Sequence, residues 1–382
     1  METREQSESK HIVPAASQAL AVRSAAIVAR GLRDLARDSN WLVKKVFTER
    51  SSHVAISPAG QLCATSPVVR HGTERVALYD IELSLPTLAL GVPGELDACA
   101  PGLPAAFAWS PTARYLAAAW GGWPRELHVF DLSGKMCLGA FGKFSNFPQS
   151  ITWSDAGRYF ACATPGGTEA ELRLWEADRE AAAKMPFSGA PLSALGGPRS
   201  VDEWMGAQAA DAEDGDEGSF SGFGCTAFAP DEGTLASVVE IEGEWADDSI
   251  VLLDVPTLRR RRAFEAQGHV TDLAWTFASR QLVYCAAGQA YRVAEDDAEP
   301  EPLPFGAELC VCHPHLPFCL CFSSWLRNSA KGRLFMVNLT TLAVFDEYAA
   351  EGVVDLRWSL DGSKAYAVTA DGLAYIYEPP LL

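Results

Sequence analysis

The sequence lacks several features that would place it in a common class of protein. No stretch approaches the roughly 18 uninterrupted apolar residues that a membrane-spanning helix needs. The first residues, METREQSESKH, contain three Glu and no apolar core of a secretory signal. Basic residues are few, since 31 Lys and Arg stand against 49 Asp and Glu and give a formal net charge of −18. We therefore expect a soluble, cytoplasmic protein that binds no nucleic acid, whose phosphates need Lys and Arg.

Fingerprints of catalysis and of cofactor binding are also missing. The sequence has no G-x-S-x-G elbow, no H-E-x-x-H pair, no Walker loop and no G-x-G-x-x-G turn. Its seven His are scattered along the chain. Its ten Cys are typical of small buried residues in a reducing compartment. These absences predict a protein that is not an enzyme and that holds no cofactor.

One pattern recurs along most of the chain. FAWSPTARYLAAAW at Phe107–Trp120, ITWSDAGRYFACAT at Ile151–Thr164 and LRWSLDGSKAYAVT at Leu356–Thr369 each join two apolar alternations by a short polar turn. Alternation with period two predicts β-strands. Seven such units begin near His53, Ala106, Ser150, Cys225, Val270, Leu309 and Val353.

Each unit continues into a third strand, which often ends in an acidic or amide residue, and a fourth strand is expected outside it. Thr87–Gly91 and Lys135–Gly142 are examples of that fourth strand. Four antiparallel strands every 40 to 50 residues or so are typical of a propeller blade. The seventh unit stops after its third strand, so Trp41–Glu49 is predicted to supply its outer strand and to close the ring.

The units resemble WD40-type β-propeller repeats. The resemblance covers about residues 41–380, with Gly268-His269 as the Gly-His dipeptide and Trp175-Glu176 as the nearest match to Trp-Asp. It implies an all-β, seven-bladed propeller over residues 41–382 that acts as a protein-binding scaffold in a larger intracellular complex. Trp109 and the tryptophans at the same place in other units, Trp153, Trp275 and Trp358, are expected to wedge neighbouring blades together.

Residues 1–40 stand outside the repeats. Residues 1–14 are predicted to be a disordered tail, and residues 15–38 an amphipathic helix that gathers its arginines on one side: Arg23, Arg30, Arg33 and Arg37. This helix could pack on its own propeller or bind a partner protein. Membrane-surface binding is disfavoured because its apolar face is mostly Ala.

Two further segments are candidates for partner binding. The insert at about 178–222, between the third and fourth blades, is acidic and carries the apolar pair Trp204 and Met205. A basic run lies between the fourth and fifth units and comprises Arg259, Arg260, Arg261 and Arg262. It resembles the Phe-Arg-Arg-Gly motif of phosphoinositide-binding propellers, with Leu258 in place of Phe and Ala263 in place of Gly. Edge protection of an outer strand and contact with an acidic partner are the alternatives.

A cluster of possible metal ligands lies in the sixth unit: Cys310, Cys312, His313, His315, Cys319 and Cys321. Thiolate and imidazole suit zinc. The alternation instead places the Cys pairs on one face of a buried hairpin, where thiols pack as small apolar groups.

A central channel offers an alternative function, that of a propeller enzyme or a small-ligand binder. Asp272 and Asp355 occupy matching places in the fifth and seventh units and are the acidic candidates for the channel. We expect each of them to bind blade backbone.

Overall fold

Strands account for the regular structure, which a computed structural model describes in fourteen ranges. These are residues 41–47, 51–67, 76–81, 83–90, 104–120, 125–134, 136–165, 170–176, 191–196, 219–242, 247–277, 281–294, 299–324 and 332–379. They contain strands and turns and no helix, and within them no segment could cross a membrane as a helix. The predicted tail and helix of residues 1–40 lie outside these ranges.

The strands form seven four-stranded antiparallel sheets, which are the blades of a propeller. The first strand of the chain, β1 (Trp41–Lys45), belongs to blade 7. Blade 1 contains β2 (Ser51–Ile56), β3 (Leu62–Pro67), β4 (Val76–Asp80) and β5 (Leu85–Leu90). Blade 2 contains β6 (Pro104–Trp109), β7 (Tyr115–Trp120), β8 (Glu126–Asp131) and β9 (Met136–Lys143). Blade 3 contains β10 (Ser150–Trp153), β11 (Tyr159–Ala163), β12 (Glu171–Glu176) and β13 (Ser193–Gly196).

The remaining blades repeat this order. Blade 4 contains β14 (Ser219–Phe228), β15 (Thr234–Glu242), β16 (Ser249–Asp254) and β17 (Arg260–Glu265). Blade 5 contains β18 (Val270–Trp275), β19 (Gln281–Ala286), β20 (Gln289–Ala294) and β21 (Glu301–Pro302). Blade 6 contains β22 (Leu309–Cys312), β23 (Phe318–Ser323), β24 (Arg333–Asn338) and β25 (Ala343–Ala349). Blade 7 contains β26 (Val353–Trp358), β27 (Ala365–Thr369), β28 (Leu373–Tyr377) and β1 (Trp41–Lys45).

Ring order follows chain order. The first strand of each blade contacts that of the next, and β26 contacts β2. β1 pairs antiparallel with β28 from Trp41 opposite Tyr377 to Lys45 opposite Leu373. The fourth strands predicted near Thr87 and Lys135 are β5 and β9. β14 begins at Ser219, inside the predicted insert, because the fourth blade opens with a ten-residue strand.

The core is divided among the gaps between blades. On β7, Leu116 and Ala118 pack toward blade 1, whereas Ala117 and Ala119 pack toward blade 3. Since successive side chains of a strand point to opposite faces, one inner strand serves two interfaces. The second strands of blades 3, 6 and 7 are accordingly buried along their whole length.

A tryptophan at the end of the first strand joins each of four blades to the blade before it. The indole Nε1 of Trp109 donates to the Ala55 carbonyl at 3.0 Å, and that of Trp153 donates to the Ala108 carbonyl at 3.2 Å. The same bond links blade 5 to blade 4 at 3.0 Å and blade 7 to blade 6 at 3.2 Å, through Trp275 to Ala227 and Trp358 to Val311. The predicted wedge role of these tryptophans is confirmed.

The residue after each wedge closes the turn into the second strand. The Oγ atoms of Ser110 and Ser154 accept the backbone N–H of Tyr115 at 3.0 Å and of Tyr159 at 2.9 Å. Ser57, Thr276 and Ser359 make the equivalent bond in blades 1, 5 and 7. The recurring Trp-Ser pair therefore combines a wedge between blades with a hydrogen bond inside the hairpin.

Truncation of Trp109 tests the wedge. The side chain is 1% exposed, so Trp109→Ala should lower the free energy of unfolding by roughly 3–5 kcal/mol. Trp109→Phe keeps most of the packing and removes the bond to Ala55, so its cost should be smaller, about 1–2 kcal/mol. Urea unfolding measures both values. An unchanged midpoint for Trp109→Ala would show that the wedge does not hold blades 1 and 2 together.

Candidate functional site

A cavity of about 350 Å³ lies in the channel between the first strands. Its wall comes from blades 3 to 7, and most of the lining residues belong to β18, β22 and β26, the first strands of blades 5, 6 and 7. Four charged side chains line it: Asp155, Asp272, Asp355 and Arg357. The cavity is large enough for a small ligand, because such sites begin at about 300 Å³.

Asp272 and Asp355 fasten neighbouring blades, as expected. Asp272 accepts the N–H of Cys310 in blade 6 at 2.8 Å and that of Leu273 at 2.9 Å. Asp355 accepts the N–H of Ile56 in blade 1 at 3.0 Å. Burial raises the pKa of Asp272 to about 7 and that of Asp355 to about 6, although these hydrogen bonds act in the opposite direction. Both carboxyl groups are structural.

Arg357 and Asp155 differ from that pair because neither side chain has a hydrogen bond or ion pair with any described residue. Burial in the channel wall lowers the pKa of Arg357, and the charges of Asp355 and Asp155 raise it. Desolvation and the charge of Glu232 raise the pKa of Asp155, and the charge of Arg357 lowers it. The charge of each group therefore shifts the pKa of the other, although no ion pair joins the two side chains.

The mouth at which the first strands end is mostly apolar. The residue two places after each wedge position follows the end of a first strand, and we name six of these residues the apolar rim: Pro58, Pro111, Pro230, Phe277, Pro314 and Leu360. Pro58 is buried, and the last four line the cavity. Asp155 occupies the seventh position. Phe277 is 51% exposed and Leu360 is 48% exposed. The turn chemistry that favours Pro after the wedge thus also builds a surface.

The cysteines of the sixth unit lie in the core between blades 5 and 6. Cys310 is opposite Cys321 and Cys312 is opposite Cys319, so all four share one face of the β22–β23 hairpin. They pack with Cys285 in an apolar cluster, and the Sγ atoms of Cys319 and Cys321 are 3.7 Å apart. Burial raises the pKa of the Cys321 thiol, which keeps it protonated and unreactive.

The two histidines of that cluster point away from the thiols. His313 Nε2 lies 3.1 Å from the Gly362 carbonyl and His315 Nε2 lies 3.0 Å from the Leu360 carbonyl, both in blade 7. His313 Nδ1 accepts backbone N–H groups of its own turn. Among the described residues, no group of three or more His, Cys, Asp or Glu is arranged to hold a metal ion. The four cysteines lie together but the two histidines bond to blade 7, so the six candidate ligands do not form one site.

The arginine run is divided between two roles. Arg261 pairs with Asp254 and donates to Thr234 Oγ1 at 2.7 Å, and Arg262 donates to the Ala294 carbonyl at 3.2 Å. Arg259 and Arg260 are exposed at the outer edge of blade 4. Leu258, which stands where the phosphoinositide motif has Phe, is buried at 3% exposure. The candidates Arg23, Arg30, Arg33, Arg37, Trp204 and Met205 lie outside the described residues.

Sequence reasoning missed Arg357 and Asp155. Arg357 directly precedes the wedge Trp358, and Asp155 takes a rim position that is Pro in four other blades. Aligning the seven units would have singled out both residues as charged departures from a repeating apolar position.

Comparison with known proteins adds no family assignment. A scan against models of protein families gives no match, and no curated protein matches the chain significantly. The propeller is therefore established from strand pairing and ring order, and the function must be argued from the channel and its mouth.

The pH dependence of stability tests the environment of Asp272. Because its folded-state pKa of about 7 lies above the ordinary value of 3.8, the folded protein holds a proton that the unfolded chain releases between these values. This stabilisation is complete below about pH 4 and is lost as the pH rises through 7. We expect Asp272 to lower the free energy of unfolding by on the order of 2 kcal/mol between pH 5 and 8.

Asp272→Asn should remove that part of the pH dependence, as measured by urea unfolding at pH 5 and pH 8. Asp361→Asn is the control. Hydrogen bonds from Ser359 and Ser363 hold the pKa of Asp361 at about 2, below the tested range, so this variant should keep the wild-type slope. Equal slopes for wild type and Asp272→Asn would contradict the assignment.

Proposed function

We propose that this protein is a non-catalytic propeller that binds a partner protein at the channel mouth formed by the apolar rim. One observation carries the proposal. Among the described residues, eight large hydrophobic side chains are exposed, and three of them line the channel cavity: Phe277 and Leu360 at the mouth, and Val354 near the start of β26, toward the other end. Exposed apolar groups gathered at one place are typical of interaction sites.

The partner segment should combine an apolar anchor with basic neighbours. An aromatic or aliphatic side chain can pack against Phe277 and Leu360 at the mouth, because interface hot spots are commonly apolar anchors. The net charge of −18 and the carboxylate of Asp155 at the rim favour basic flanks. Such charges speed association and orient the partner, while the anchor provides most of the affinity.

A non-catalytic role agrees with the chemistry of the channel. Asp272 and Asp355 are occupied by backbone N–H groups, and the thiols near them are buried. The nine described cysteines are free, although two pairs lie in register across β22 and β23. We take this as support for a reducing, intracellular location.

Two finer structural assignments belong to the same proposal. We infer that the repeats are degenerate WD40-type units, because His269 of the single Gly-His dipeptide places Nδ1 2.9 Å from Asp248 Oδ2. We also infer that β1 closes the ring and that the stability of the last blade depends on it. Trp41 supports this inference, since its ring lies 4.9 Å from that of Tyr377 and 5.9 Å from that of Tyr348.

Polar substitutions in the rim test partner binding. Phe277→Ser with Leu360→Ser should abolish recovery of the stoichiometric partner when the tagged protein is purified from its native source, because the anchor site is lost. Phe147→Ser is the matched control: Phe147 is also exposed, at 42%, but it precedes β10 and so lies at the opposite end of the channel. Equal recovery with the rim variant and with the control would refute the rim as the docking site.

Substitutions in β1 test closure. Trp41→Ala should lower the melting temperature by several degrees, because Trp41 is 9% exposed and packs on two tyrosines of blades 6 and 7. Val43→Ala on the same strand should have little effect, since Val43 is 38% exposed. Calorimetry measures both variants. Indistinguishable melting temperatures would mean that β1 is dispensable.

A further inference from the structure

Arg357 lines the channel cavity and is half-buried. No hydrogen bond or ion pair joins its side chain to a described residue, although the charges of Asp355 and Asp155 act on its pKa. A guanidinium carries five N–H donors that need acceptors. Because the described residues supply none, these donors are available to a ligand in the cavity.

Asp155 offers the complementary group at the same mouth. Its carboxylate also has no hydrogen-bond partner among the described residues, and it lines the same cavity as Arg357. The charge of each residue acts on the pKa of the other, yet the two do not meet in an ion pair. A fixed positive group and a fixed negative group therefore face a shared space.

A ligand with a single charge satisfies only one of these two groups. An anion bound to Arg357 would approach Asp355, two residues earlier on β26, and Asp155. A cation bound to Asp155 would leave the donors of Arg357 without an acceptor. A molecule with both charges satisfies both groups, and an apolar body could contact Trp358 and the exposed rings and side chains of the rim.

We propose that the channel cavity binds a small zwitterion, an α-amino acid with an apolar side chain, with its carboxylate on Arg357 and its ammonium group on Asp155. The volume of about 350 Å³ suits a ligand of this size. This proposal does not depend on the protein partner, because it rests on the two charged groups and not on the exposure of Phe277 and Leu360.

Calorimetric titration of the full-length protein tests the charge requirement. The probes are leucine, methionine and phenylalanine, each compared with its N-acetyl derivative, which lacks the cation, and its amide, which lacks the anion. We expect at least one free amino acid to bind and both of its derivatives to bind at least about tenfold more weakly, because each loses a charge-assisted hydrogen bond. Failure of all three amino acids to bind at 10 mM or so, or equal binding of either derivative, would overturn the proposal.

Variants assign the two charges. Arg357→Met and Asp155→Asn should each weaken binding of the free amino acid at least about tenfold, whereas Arg260→Met, the same change on exposed β17, should leave it unchanged. Arg357→Met should stay folded, because the guanidinium has no bond to a described residue that the change would break. Unchanged affinity in Asp155→Asn, or in a folded Arg357→Met, would overturn the assignment. Retained partner recovery in Arg357→Met, which leaves the rim intact, would separate this site from the rim.

Discussion

The hydrogen bond from a wedge tryptophan to the backbone of the preceding blade is the interaction on which the ring depends. In four blades the indole reaches the carbonyl that precedes the neighbour's own wedge position, at 3.0–3.2 Å. The indole ring fills the gap between two neighbouring blades, and its N–H fixes the position of one blade relative to the other. Blades 1, 4 and 6 carry Ile56, Phe228 and Cys312 at this position, and these side chains pack in the apolar clusters that fill those gaps.

Several other features follow from the wedge. Blade 6 has a thiol in place of a tryptophan, and the cysteines around it fill the space that an indole would occupy, which explains a metal-like composition without a metal-like geometry. Asp272 and Asp355 add a second fastening between first strands, at the cost of burying a carboxyl group. The turn after the wedge carries Pro, Phe or Leu in six blades, so the segment next to each wedge also forms the surface that we propose as the docking site.

Much of the fold could be predicted from the sequence because it repeats. Alternation gave the strands, and the spacing gave seven blades; the outer strands near Thr87 and Lys135 were placed within a few residues. The wedge role of Trp109 followed from its recurrence. The start of β14 could not be placed, because the preceding acidic segment carries no alternation.

The candidate site was harder to predict than the fold. Arg357 and Asp155 are single departures from the repeat, and their lack of partners depends on distances across the channel.

Hydrogen exchange of the indole N–H groups tests the wedge most directly. With ¹⁵N-labelled tryptophan and assignment by Trp→Phe variants, the protons of Trp109, Trp153, Trp275 and Trp358 should exchange at least about a thousandfold more slowly than an exposed indole. Their protection should disappear together at the urea concentration at which the propeller unfolds. Rapid exchange of these four protons in the native protein would contradict the role of the wedge bonds in holding the blades together.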